Sequence, residues 1–162
     1  MAALKILVIP GSLRTGSLNA KLAAVAAYQI AQAGAEVTCI SLADFALPIY
    51  DGDLQTRSGV PKNAVNLKRM IGAHHGVLIV TPEYNASVPP LVKNTIDWVT
   101  RVQEPQETRG QVFRGRAFAI AAASQSRLGA AVNATRSAPP TKSWMWINPR
   151  SAQPCRPAVS AR

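Results

Sequence analysis

Leu4–Pro10 is a near-continuous aliphatic run, the pattern of a strand buried on both faces of a parallel sheet. Asn19–Ala33 follows, rich in Ala, Leu and Gln, with apolar positions at helical spacing and Gly34 placed to close the helix. Glu36–Leu42 alternates and carries Val37 and Ile40, which predicts a second strand, and Leu47-Pro-Ile-Tyr-Asp-Gly-Asp53 reads as a loop. Pro61 suits the first turn of a helix that runs on to Ala73, and Gly76–Thr81 is another buried strand. Pro89–Arg101 is a third helix and Arg116–Ala123 a fourth strand. Strand and helix alternate three times before strand four, which predicts an α/β fold: a parallel, doubly wound sheet with right-handed crossovers.

The pattern changes after Ser124. Ser, Ala, Pro and Arg dominate, five of the twelve prolines fall between Pro139 and Pro157, and no stretch sustains an apolar period. Charge divides at nearly the same place. Residues 1–107 carry nine Lys/Arg and all eight acids, a net of +1, whereas residues 108–162 carry the other nine Lys/Arg and no acid. The net charge of +10 therefore belongs to the last third and is not spread over a folded face, which argues against a nucleic-acid partner. These divisions predict one folded domain over residues 1–137 and an atypical Pro/Ser/Arg-rich tail over 138–162, outside the packed core.

Met1-Ala-Ala-Leu-Lys5 runs straight into the first strand, too short a lead for a signal peptide, and no apolar run approaches the ~20 residues of a membrane span. A cytoplasmic protein with no membrane association is expected. Cys39 and Cys155 are too few and too far apart to read as a metal clip or redox pair, and no disulfide is inferred.

Two strand ends carry the candidate chemistry. Gly11-Ser-Leu-Arg-Thr-Gly-Ser-Leu-Asn19 joins the first strand to the first helix, a place where backbone N–H groups and the positive end of the helix dipole converge on an anion. Gly11 and Gly16 have the spacing of a nucleotide-triphosphate loop, but Ser17-Leu18 stands where Lys-Ser/Thr is needed. The middle glycine of a dinucleotide fingerprint is missing too. One terminal phosphate remains: Ser12, Thr15, Ser17 and Asn19 offer hydroxyl and amide donors, Arg14 a charged fork, and Asn19 a cap for the helix. A polar turn with no ligand uses the same residues, and the loop alone leaves both readings open. At the next strand end, Pro82-Glu-Tyr-Asn85, framed by Pro89-Pro90, sets an aromatic face and an amide on a stiff turn, where a flat heterocycle above the first loop would lie.

These residues resemble the NADPH-dependent FMN reductases of flavodoxin-like fold, the branch with quinone, chromate and azo reductases. The resemblance rests on Gly11–Asn19, on Pro82–Asn85 followed by Ser87-Val-Pro-Pro-Leu-Val-Lys-Asn-Thr-Ile-Asp-Trp98, and on Leu47-Pro-Ile-Tyr-Asp51. It covers residues 3 to 124. It implies that the loop Gly11, Ser12, Leu13, Arg14, Thr15, Gly16, Ser17, Leu18 and Asn19 binds FMN, with Ser12, Arg14, Ser17 and Asn19 on its phosphate. It also implies that Pro82, Glu83, Tyr84 and Asn85 line the isoalloxazine, that NADPH or NADH and then a small-molecule acceptor alternate over the ring, and that the protein is a homodimer or homotetramer. Beyond the fourth strand the resemblance stops. Ser124-Gln-Ser-Arg-Leu-Gly129 stands where the family has a Ser-Pro-Gly-like loop, so Ser124 is kept as a site residue, while a normal fifth strand and last helix have no counterpart.

Because the flavin carries the hard chemistry, no catalytic side chain or metal is required. Glu83 is the loop carboxylate by the inferred ring and reads as a backbone-positioning or capping residue. His74-His75 read as a solvated helix end, Trp98 and Ile96 as packing, and Asp97 as surface. Three functions stay open: an FMN-dependent NAD(P)H oxidoreductase acting on quinone, azo, chromate or free flavin acceptors, a flavin-binding electron carrier, and a product whose altered carboxyl third no longer supports catalysis.

Overall fold

Side chains leave each strand alternately to two faces, and each face has its own helices. The computed structural model describes residues 2–85 and 87–123. Strands β1 (Lys5–Pro10), β2 (Glu36–Cys39), β3 (Gly76–Val80) and β4 (Ala117–Ala121) form one parallel sheet in the order β2-β1-β3-β4. That is the flavodoxin-like order up to its fourth strand, as the alternating pattern predicts. Val8, Leu78, Val80 and Ala121 pack against Leu22, Ala23 and Ala26 of helix α1 (Leu18–Gln32). Leu7, Ile9, Val77 and Phe118 point the other way, into a core shared with Leu67 and Ile71 of α3 (Lys62–Gly72) and Val99 of α4 (Pro90–Val99). Burying aliphatic residues on both faces at about 25 cal/mol per Å² is what holds such a sheet between its helices. No helix among the described residues is long and apolar enough to cross a membrane.

Four local expectations are corrected. The second strand ends at Cys39 rather than Leu42, because the Ser41 hydroxyl accepts from the Ala43 N–H (3.2 Å) and opens a 3₁₀ turn, Leu42–Phe45. The loop expected through Asp53 stops at Asp51, whose carboxylate accepts from the Asp53 N–H (2.8 Å) and caps a short helix, α2 (Gly52–Ser58). His74 is buried rather than solvated: its Nδ1 donates to the Met70 carbonyl (2.6 Å), and its Nε2 pairs with the Thr38 hydroxyl (2.9 Å), tying the end of α3 to β2. His75 is exposed, and its Nδ1 accepts from the Lys5 N–H (2.9 Å).

The fourth correction touches the site. Ser17, not Asn19, caps α1, its Oγ accepting from the Ala20 N–H (3.4 Å). Asn19 lies in the first turn, 3% exposed, with its amide against the end of β4: Nδ2 donates to the Ala123 carbonyl (3.0 Å) and Oδ1 accepts the Ala123 N–H (2.8 Å). A side-chain amide that satisfies one residue's N–H and C=O together replaces a missing rung of backbone pairing. The expected loss of a fifth strand and last helix, the tail boundary at 138, and Ser124 all lie outside the described residues.

At the lower end of the sheet, Arg116 donates through Nε to the Ile71 carbonyl (3.1 Å) and through Nη2 to the Gly72 carbonyl (3.0 Å), closing the negative end of α3. Lys68, on the same helix and largely buried, pairs with Glu107. The Lys68 ammonium, and then the Glu104 N–H, hold the Glu107 carboxyl below its usual pKa.

Asn19→Ala strands both backbone groups of Ala123 in a buried place and should cost about 2–4 kcal/mol of stability by urea denaturation, at 1–3 per orphaned group. Ser17→Ala, a lost cap, should cost about 1 kcal/mol in the same assay. For Glu107, a folded-state pKa below the unfolded one gives stability that is present above the ordinary glutamate range and lost as pH falls through the depressed value. Urea melts at descending pH should show that loss in the wild type and a flatter acid limb in Lys68→Met; identical limbs would remove the pair from the acid response.

Candidate functional site

Gly11 fixes where the two loops meet. Its N–H donates to the Val80 carbonyl (2.7 Å), continuing the pairing of β1 with β3 past the end of β1. A Cβ at this position would fall 2.6 Å from Val92 Cγ2 and 2.9 Å from Thr81 Oγ1, distances no side chain tolerates, so only glycine lets β1 leave the sheet against the start of β3's loop and α4. The first loop therefore rises beside the second.

Above Gly11 the chain turns through Ser12–Gly16. The Ser12 hydroxyl accepts from the Arg14 N–H (3.4 Å), the Ser17 N–H donates to the Arg14 carbonyl (3.1 Å), and Gly16 takes φ +71°, a left-handed conformation that a side chain would strain. Among the described residues no hydrogen bond uses the N–H groups of Ser12, Leu13, Thr15 or Gly16. Leu13, Arg14, Thr15 and Leu18 are exposed, whereas Ser17 is buried at the cap. The first turn of α1 holds no acidic residue to offset the positive end of its dipole. Unused N–H donors, an uncompensated helix end and the exposed Arg14 form a donor set that fits a phosphate. Of the four residues given to the phosphate, Ser12, Arg14 and Ser17 stand in or beside this turn, while the amide of Asn19 is engaged with Ala123.

The second loop leaves β3 at Thr81, which is buried and whose N–H donates to the Ala121 carbonyl (2.9 Å). Tyr84 and Ser87 exchange backbone hydrogen bonds (3.0 and 3.1 Å) as an antiparallel bridge, and Asn85 takes φ +52° inside it, the left-handed region that asparagine enters more readily than most residues. This pairing holds Tyr84 half exposed, with a face open to solvent. Glu83 makes no hydrogen bond among the described residues, so the capping role expected for it is not the one it plays, and its Oε2 is enclosed without a partner. Pro82 and Glu83 are half-buried, and Pro89 is buried at the N-terminal end of α4.

A third segment, Pro48–Asp51, is strapped to α4 by Asn94, to which the pattern of the sequence assigns no role, and by Trp98, which it assigns to packing. Asn94 donates through Nδ2 to the Pro48 carbonyl (2.9 Å) and accepts the Tyr50 N–H at Oδ1 (2.8 Å), and Trp98 Nε1 donates to the same Pro48 carbonyl (2.7 Å). Tyr50 meets the Trp98 ring edge-on at 5.1 Å, and Arg101 lies 4.5 Å over the Tyr50 ring. Trp98 is fully buried, a packing residue as expected, and Asp97 pairs with Lys93 one turn earlier (2.6 Å). Ile49, between these anchors, is 75% exposed at the turn. The signal for Asn94 was a lone amide on the partly buried side of an amphipathic helix, which names no partner until the fold brings Pro48 to it. A separate aliphatic cavity of about 440 Å³ opens beside α1 over Ile6, Leu78 and Ala119; it has no converging polar groups and lies apart from the two loops.

Comparison with known proteins agrees with this architecture. The chain is 39% identical over 129 residues to a quinone reductase of Escherichia coli, an alignment covering 79% of this chain and 64% of that protein. To a 2-hydroxy-1,4-benzoquinone reductase of a Burkholderia species it is 37% identical over 132 residues, 80% of this chain and 66% of that one. The chain thus spans just under two thirds of the length of these relatives. Among solved structures it is similar to the flavoenzyme NAD(P)H:(acceptor) oxidoreductase FerB of Paracoccus denitrificans, with a TM-score of 0.65 and 29% identity over 93% of this chain and 78% of that one. Residues 4–147 match the family described as NADPH-dependent FMN reductase, and with the phosphate-type loop, the Tyr84 hairpin and the doubly wound sheet in place, the chain belongs to that family.

Proposed function

We propose that this chain binds FMN and acts as an NAD(P)H-dependent oxidoreductase, passing reducing equivalents from NADPH or NADH to a quinone, azo, chromate or free flavin acceptor. The observation that carries the reading is the junction at Gly11, which brings a loop of unused N–H donors against the loop that displays Tyr84. Family membership and the activities for which the similar proteins are named support it.

In this reading the N–H groups of Ser12, Leu13, Thr15 and Gly16 and the guanidinium of Arg14 hold the phosphate, with the end of α1 supplying a fixed positive field. Ser17 keeps that helix end in place, and Asn19 keeps it registered to β4. Pro82, Glu83, Tyr84 and Asn85 border the ring, and the Tyr84–Ser87 pairing stops that border from drifting, so orientation is set before a second substrate arrives. Ser124, which follows Ala123 in the sequence, is kept in the proposal as a cofactor-binding residue. Bound FMN supplies the hydride-accepting and hydride-donating chemistry, so the protein contributes position and electrostatics. The exposure of Tyr84 leaves room for a nicotinamide and then an acceptor to use one face in turn. A homodimer or homotetramer in the cytoplasm is part of the proposal, since Ile49 and the Pro48–Asp51 strap give a rigid apolar corner for a second copy and NAD(P)H is a cytoplasmic reductant.

FMN titrated into the purified protein should bind more tightly than FAD or riboflavin, because the loop offers donors for one terminal phosphate and lacks the dinucleotide glycines. Arg14→Ala should weaken FMN roughly ten- to hundredfold, the value of one charge-assisted contact. Anaerobic mixing of the FMN-loaded protein with NADPH should bleach the flavin absorbance, and steady-state rates against a quinone should give parallel double-reciprocal lines. Retained FMN that NADPH fails to bleach would leave an electron carrier; failure to retain FMN would sink both readings.

A further inference from the structure

Glu83 presents a buried chemical debt at the proposed ring border: its Oε2 is shielded from solvent and has no hydrogen-bond partner. A carboxylate oxygen withdrawn from water without a donor is costly, and native structures supply the missing donor from protein, water or ligand. The ion pairs formed by the described residues, Lys5–Glu36, Lys68–Glu107 and Lys93–Asp97, do not include Glu83. Its neighbours on the loop offer little: Pro82 has no N–H, the Tyr84 N–H donates to the Ser87 carbonyl, and the Thr81 hydroxyl donates to the Pro82 carbonyl (3.1 Å). None of these groups reaches Glu83 Oε2, and a ligand donor from outside the loop would satisfy it.

Resting on the proposal that the site takes FMN, we infer that Glu83 is the acceptor for the imide N3–H of the flavin. A carboxylate repels the two ring carbonyls and the phosphate, all of which are acceptors, so it can only face a donor. The oxidised isoalloxazine has one N–H, at N3, between those carbonyls. The ribityl hydroxyls are donors too, but they lie between ring and phosphate, whereas Glu83 sits between Pro82 and the Tyr84 hairpin assigned to the ring. The pairing gives the loop a means of reading the pyrimidine end of the ring and of setting it flat against Tyr84. It also places negative charge where a reduced ring gathers electron density, which makes the bound flavin harder to reduce.

The test compares FMN with N3-methyl-FMN on the wild type, Glu83→Gln and Glu83→Ala, using flavin fluorescence quenching for affinity and dye equilibration for the midpoint potential. The wild type should prefer FMN roughly ten- to hundredfold, the range for a charge-assisted hydrogen bond, and Glu83→Ala should bind the two flavins nearly alike. Glu83→Gln keeps an acceptor of the same shape without the charge; it should retain part of the preference and shift the potential of bound FMN in the positive direction. A preference that persists undiminished in Glu83→Ala would assign N3–H to another acceptor and overturn the inference. Equal weakening of both flavins by Glu83→Ala would place the carboxylate on the ribityl chain and overturn it too. A wild type that binds FMN but does not discriminate overturns this inference alone, whereas a wild type that binds neither flavin overturns the proposed function with it.

Discussion

The absence of a side chain at Gly11 is the constraint on which the site depends. A single Cβ there would meet Val92 and Thr81 at separations no packed interior accepts, and either the end of β1 or the start of α4 would have to move. Because the Gly11 N–H also completes the pairing to Val80, the same residue ends the sheet and seats the loop above it. Two loops contributed by distant parts of the sequence then share one rim. Neither has to reach far to stand beside the other.

Beneath that rim, the layers divide the work of holding it still. α1 and its aliphatic face carry the first loop, and α4, strapped to Pro48 and Tyr50 through Asn94 and Trp98, carries the second. Polar contacts at the two ends of the sheet differ in kind. At the lower end Arg116 and His74 saturate the end of α3, a static closure. At the upper end the N–H groups of the first loop stay unused, and Glu83 carries an enclosed oxygen without a donor. Unused donors on the first loop and an enclosed acceptor on the second thus lie on one rim, where a ligand would supply the partners that both lack.

Much of this was legible in the sequence, because long aliphatic runs and helical spacing report burial directly, and burial on two faces specifies the parallel sheet. What was not legible turned on competition between residues of similar local preference. Ser17 and Asn19 are both good caps, and only the arrival of Ala123 decides that Asn19 faces inward. Ile40 and Leu42 continue an alternating pattern past Cys39, yet the Ser41 hydroxyl offers the backbone a turn and wins. Gly52 and Asp53 look like a loop, yet the Asp51 carboxylate starts a helix from them. His74 looked like a solvated helix end because its partner, the Thr38 hydroxyl, is 36 residues away. For the site, residue types and loop positions were readable from one strand end at a time, whereas the pairing of Tyr84 with Ser87 and the isolation of Glu83 Oε2 exist only in three dimensions.

The link between Asn19 and Ala123 has a consequence for how the molecule comes into being. It spans 104 residues of sequence, among the longest closures in the described chain, and it joins the first turn of α1 to the end of β4. Contacts so distant in sequence form late, since a long loop must close before they repay anything. On a ribosome, β1, α1, β2 and β3 could assemble as each emerges, but the first turn of α1 would lack its tie to β4 until Ala123 had left the exit tunnel. The order of synthesis thus leaves the first turn of α1 without its β4 partner until the end of the described chain is made, even though the residues of that turn are among the first to appear.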